Sequence, residues 1–140
     1  MTIKNIARIN ALLFFFFWLF VMYAGADHPP PPGFIFLILL ILACAVVVYF
    51  RVPTYISWHI SRKEHRYFYV LRDGLLAGFA AGLVTLLSFA GRVILGGDID
   101  GKPSAADLLI WFAVVGGMGI VNALLIYLAN GFFVNRRKLR

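Results

Sequence analysis

Long apolar runs broken by short polar stretches set the pattern of this chain. Four runs reach the length needed to cross a bilayer: about Ile9–Ala26, Phe34–Phe50, Gly74 to about Leu95, and Leu108–Val134. A hydrocarbon core about 30 Å thick takes roughly 20 helical residues at about 1.5 Å each. The second run is near the short limit, and the fourth is long and free of charge. Tilt or local mismatch is therefore expected. The pattern predicts an all-α integral membrane protein, with four transmembrane helices in an antiparallel bundle and a single transmembrane domain over residues 1–140.

The connections differ in kind. Residues 27–33 form a tight loop holding Pro29, Pro30, Pro31 and Pro32, which stiffens a helical hairpin. Residues 51–73 read as a long basic loop, and residues 96–107 as a short, polar and acidic one.

Composition agrees with the pattern. The chain is 62% hydrophobic and only 14% charged, with mean hydropathy +0.89. A soluble chain carries about 25% charge and could not cover its surface with so little. Lys and Arg outnumber Asp and Glu 13 to 6. Eleven of those 13 fall at the chain start (Lys4, Arg8), in residues 51–73 (Arg51, Arg62, Lys63, Arg66, Arg72) and at the chain end (Arg136, Arg137, Lys138, Arg140). The positive-inside rule then places both termini and the 51–73 loop in the cytoplasm, for a multi-pass protein of the plasma (inner) membrane. A rival reading takes residues 1–26 as a signal peptide ending in Ala24-Gly25-Ala26, which would leave three spans. The basic excess suits anionic lipid at the cytoplasmic face; no nucleic-acid partner is expected.

The third run carries a stripe of small and polar residues: Gly74, Gly78, Gly82, Thr85, Ser88 and Arg92. At about 100° per residue all six lie within roughly 120° of arc. In lipid, helices associate where small residues let backbones approach. A matching face on the fourth run holds Gly116, Gly119, Ala123 and Asn130, with Asn122 at its edge. These residues predict a glycine-zipper seam between antiparallel neighbours, with Thr85 hydrogen-bonded to Asn122.

Candidate chemistry is sparse. Arg92 is the one strong charge within a predicted span and, with Asn130, a candidate for ligand binding or gating. Asp98-Ile99-Asp100-Gly101 lacks the later ligands of a calcium loop, so no metal site is predicted. The lone Cys44 excludes an internal disulfide and reads as a small buried hydrophobe. His28 stands alone outside the spans, and His59 and His65 do not share a helical face. Trp58, Arg62, Lys63 and Arg66 suit the headgroup layer. Ser104-Ala105-Ala106-Asp107 reads as a capping box opening the fourth helix.

No acidic residue or His lies within a span, and no phosphate-loop, dinucleotide or zinc-protease motif occurs. Neither an enzyme nor a cofactor is expected. The expectation is a non-catalytic membrane protein acting through helix packing or partner binding: an accessory subunit, a regulator or an immunity-type protein. The partner would be a membrane protein or a second copy of the chain. The alternative is a small oligomeric transporter or channel. In size and topology the chain resembles the small multidrug resistance transporters. That family carries a glutamate in its first helix, and the first span here has no acidic residue.

Overall fold

The second helix shows how the sequence builds the structure. Ile41, Ala45, Val48, Val52, Tyr55 and Ile56 are buried. Their spacing alternates mainly between four and three residues, which holds one helical face toward its neighbours. That spacing runs through Arg51 and Pro53 unbroken, and the helix extends from Phe34 to Ser61.

The computed structural model describes residues 2–25, 34–94 and 104–136, with 89, 91–94 and 136 as backbone only. The elements are α1 (Ile3–Gly25), α2 (Phe34–Ser61), α3 (Arg66–Ile94) and α4 (Ala105–Arg136), with no strand among the described residues. Each contains a stretch long and apolar enough to cross a membrane.

Two boundaries depart from the hydropathy reading. α1 begins at Ile3, not near Ile9, because Thr2 caps it: its Oγ1 accepts the Asn5 N–H at 3.3 Å. The basic loop expected over 51–73 is mostly helix, leaving only Arg62 to His65 between α2 and α3. Charge ends a hydrophobic run but does not end a helix, since Arg is a good helix former. What ends α2 is the backbone at Arg62, where φ is 47°. The Lys63 N–H reaches back to the Trp58 carbonyl at 3.3 Å, closing the helix as a left-handed cap does. His65, with φ 57°, precedes α3. At α4 the capping box is present. The Ser104 N–H and hydroxyl donate to Asp107 Oδ2 at 3.0 and 2.8 Å, and the Asp107 N–H donates to Ser104 Oγ at 3.2 Å.

By packing, the chain gathers into two compact units: Met1–Arg66 with Ile126–Arg140, and Tyr67–Leu125. α4 contributes to both. In the first unit, Ile6 and Ala7 pack with Val48, Val52 and Ile56, and Phe14, Tyr49, Ile126 and Val134 close around them. The start of α1 thus meets the second half of α2, so the two helices run antiparallel. In the second unit, α3 and α4 also run antiparallel, with Gly74 beside Gly119 and Ala123, and Gly82 beside Phe112 and Val115.

Candidate functional site

The first unit gathers polar and aromatic side chains from three helices. Asn10 of α1 and Asn130 of α4 exchange amide hydrogen bonds, at 3.2 Å one way and 3.1 Å the other. Each amide also donates to the carbonyl four residues earlier on its own helix: Asn10 to Ile6 at 2.8 Å, Asn130 to Ile126 at 2.7 Å. An NH2 group has two hydrogens. Both are used on each side, one for the home helix and one for the partner. Asn130 is fully buried, and this closed arrangement is what makes its burial affordable.

Beside this pair, His59 of α2 lies flat on Tyr127 of α4, ring centroids 3.9 Å apart and planes 15° apart. Its Nε2 is 2.7 Å from the Tyr127 carbonyl oxygen. A carbonyl only accepts, so Nε2 carries the hydrogen and donates. The ring gets this close because residue 131 is glycine. A Cβ there would lie 2.7 Å from His59 Nε2 and 2.9 Å from Nδ1, with Cε1 nearer still. Tyr127 is fully buried and meets Tyr55 edge to face at 5.8 Å.

Tyr55 continues the cluster along α2. Its ring lies 5.6 Å from that of Trp58. The Arg51 guanidinium stands 5.7 Å from both rings, one and two turns earlier on the helix. The Lys63 ammonium approaches the same Trp58 ring at 5.4 Å. Distances below about 6 Å mark cation–π attraction. Of the residues expected at the headgroup layer, Trp58 is half-buried in this cluster, Arg62 and Lys63 are exposed, and Arg66 is intermediate.

In the second unit the helix backbones themselves meet. A Cβ on Gly74 would sit 2.7 Å from the Gly119 carbonyl oxygen and 2.9 Å from Ala123 Cβ. On Gly78 it would meet the Val115 carbonyl oxygen at 2.5 Å and Gly116 Cα at 2.8 Å. A Cβ on Gly119 would meet Gly78 Cα and N at 2.8 Å. Gly82 is looser: a Cβ there would meet Val115 Cγ1 at 3.4 Å. A Cβ on Gly116 would meet the tips of Phe79 and Leu75 at 3.2 and 3.3 Å, and Phe79 packs on Phe112.

The expected bond between Thr85 and Asn122 is not made. Thr85 Oγ1 donates to the Ala81 carbonyl at 2.9 Å, and Asn122 Nδ2 to the Met118 carbonyl at 2.8 Å. A local carbonyl four residues back is always in reach on a helix and wins over a distant partner. Ser88 is exposed and likewise bonds its own helix at Val84, 2.9 Å away. Asn130, expected on the face toward α3, instead pairs with Asn10 of α1. The side chain of Arg92, residues 27–33 with His28, and Asp98 and Asp100 lie outside the described residues.

Sequence reasoning missed Asn10 and the His59–Tyr127–Gly131 contact. Among the described residues, no three His, Cys, Asp or Glu side chains come together as a metal site would need. Compared with protein-family models, curated proteins and solved structures, the chain matches none.

Proposed function

We propose that this chain is a non-catalytic, multi-pass protein of the plasma (inner) membrane that works through helix packing and binding of a partner protein, as an accessory subunit, a regulator or an immunity-type protein. Both termini and the α2–α3 turn lie in the cytoplasm, a reading supported by the distribution of Lys and Arg along the sequence. Gly74, Gly78, Gly116 and Gly119 act as a glycine zipper that lets α3 and α4 share backbone contact.

One observation carries the reading: what the polar side chains in the apolar helices are bonded to. Thr85, Ser88 and Asn122 bond their own helices, and Asn10 and Asn130 bond each other. A conduction path needs polar groups turned toward water or substrate. These groups instead bond backbone carbonyls and one amide pair, which supports packing as their role.

The test is purification of the tagged protein from its native membranes in mild detergent, with mass spectrometry and a mass measurement of the complex. A stoichiometric second membrane protein is the expected result. A homo-oligomer that comes alone and drives ion or solute flux in proteoliposomes would overturn the reading in favour of a transporter.

A further inference from the structure

The turn joining α2 to α3 is exposed along its length, through Ser61, Arg62, Lys63, Glu64 and His65. Two of its residues hold left-handed backbone, Arg62 at φ 47° and His65 at φ 57°. A Cβ makes that conformation costly, whereas glycine adopts it freely. The chain nevertheless places large polar side chains at both positions. Within the fold they are unused: among the described residues, the side chains of Arg62, Glu64 and His65 make no hydrogen bond, ion pair or ring contact. Backbone strain of this kind collects at functional sites. Here the unused side chains direct that function outward, to another molecule.

Depth decides which molecule can reach the turn. α2 is 28 residues long, a rise of about 42 Å at the usual helical pitch. Counted from Phe34, where its apolar run begins, it overshoots a hydrocarbon core of about 30 Å by roughly 12 Å. A tilt of about 20° still leaves roughly 9 Å. A headgroup layer is only about 5–8 Å deep. Arg62 to His65 therefore stand at or past the outer edge of that layer, within reach of a protein.

Charge sets the kind of surface that fits. Among the described side chains of the first unit, Lys4, Arg8, Arg51, Arg62, Lys63 and Arg66 stand against one acid, Glu64. The next acid along the chain, Asp73, comes with its own base, Arg72, 3.4 Å away. The basic excess thus stands whichever internal contacts the other bases make. A potential of that sign draws acidic surfaces. Arg62 supplies the directed contact, since a guanidinium matches a carboxylate with two parallel hydrogen bonds.

We infer that the turn from Arg62 to His65 is a docking surface for an acidic segment on the cytoplasmic side of the partner protein, with Arg62 binding one of its carboxylates. This names the partner surface for the function proposed above and rests on that reading.

The test places photo-reactive p-benzoylphenylalanine at position 64 of the full-length protein in its native membranes and identifies the cross-linked molecule by mass spectrometry. A peptide of the partner protein holding neighbouring Asp or Glu residues is expected, with a yield that falls in high salt. Arg62→Glu should lower the yield by about ten-fold or more, the loss of one charge-assisted contact. Arg62→Lys should keep part of it. Arg62→Gly separates docking from folding: it relieves the left-handed backbone, so the unfolding midpoint should hold or rise while the yield falls about ten-fold. A midpoint and a yield that fall together would overturn the assignment, leaving Arg62 a structural residue. So would adducts with lipid only, which mark a headgroup contact, a cross-linked peptide that lacks acidic residues or comes from a second copy of this chain, or a yield that Arg62→Glu leaves unchanged. Absence of any stoichiometric second protein from the mild-detergent purification would instead fail the partner reading itself, so the two failures are distinguishable.

Discussion

Asn10 and Asn130 stand 120 positions apart in sequence and bond each other in both directions through their side-chain amides. Removing one amide leaves the other facing an apolar neighbourhood with two bonds lost. Asn130→Ala is expected to cost about 1–3 kcal/mol, the penalty of orphaning the part-buried Asn10 amide. Adding Asn10→Ala to it should cost little more. A double-mutant cycle by denaturation in mixed micelles should give a coupling of about 0.6–2 kcal/mol. Additive losses would mean that the pair contributes nothing as a pair.

The contact between His59 and Gly131 makes a sharper test, because two harmful changes should partly cancel. Gly131→Ala removes a helix-weakening glycine, a gain of up to about 1 kcal/mol if nothing stood in the way. Here the new methyl lands on the imidazole ring, which is stacked on Tyr127 and has little freedom to yield. The substitution is expected to destabilise by about 1–3 kcal/mol, as overpacking does. In a His59→Ala background the same change should be neutral or stabilising. Thermal unfolding of the two single variants and the double variant decides it.

The glycines of the second unit should not behave alike. Gly78→Leu forces the helices apart because the obstacle is backbone, the Val115 carbonyl and Gly116 Cα, and even Gly78→Ala should disrupt. Gly82→Ala meets only side chains at ordinary distances and should be nearly silent. Gly117→Ala has open space and should gain up to about 1 kcal/mol. Cysteine pairs across α3 and α4, scored by cross-linking efficiency, report the separation directly. Equal effects at 78, 82 and 117 would refute a backbone contact.

Helix ends should respond with opposite signs. Ser104→Ala removes the acceptor of the Asp107 N–H and should cost about 1 kcal/mol. Faster hydrogen exchange at the Asp107 amide would accompany it. Arg62 holds a left-handed backbone that costs a side-chain-bearing residue about 1–2 kcal/mol. Arg62→Gly is therefore expected to raise the unfolding midpoint, and a lowered midpoint would show that the arginine side chain stabilises more than its backbone strains.

The number and rough place of the helices could be read from apolar runs, because crossing a membrane demands length and little else. The glycines at 74, 78, 116 and 119 could be read too, since close approach needs small residues at helical spacing. The end of α2 could not be read from hydropathy. Its buried spacing from Ile41 to Ile56 crosses Arg51, so periodicity, not apolarity, marked the helix there. An apolar run that ends at Phe50 leaves His59 in a loop, where nothing in the sequence pairs it with Gly131. Asn10 carried a signal, a lone amide in an apolar run, but a single polar residue does not name its mate. Spacing along one helix says which residues share a face and leaves open which other helix that face meets.

The first unit takes residues from both ends of the chain, and translation makes them at different times. A ribosome finishes α1 and α2 well before it reaches Ile126, at about 5–20 residues per second. Through that interval Asn10 has its home carbonyl but no Asn130, and His59 has no Tyr127 to lie on. A product stopped short of those last turns keeps both deficits permanently. The C-terminal turns of α4 thus arrive last and complete contacts for which α1 and α2 already present their side chains.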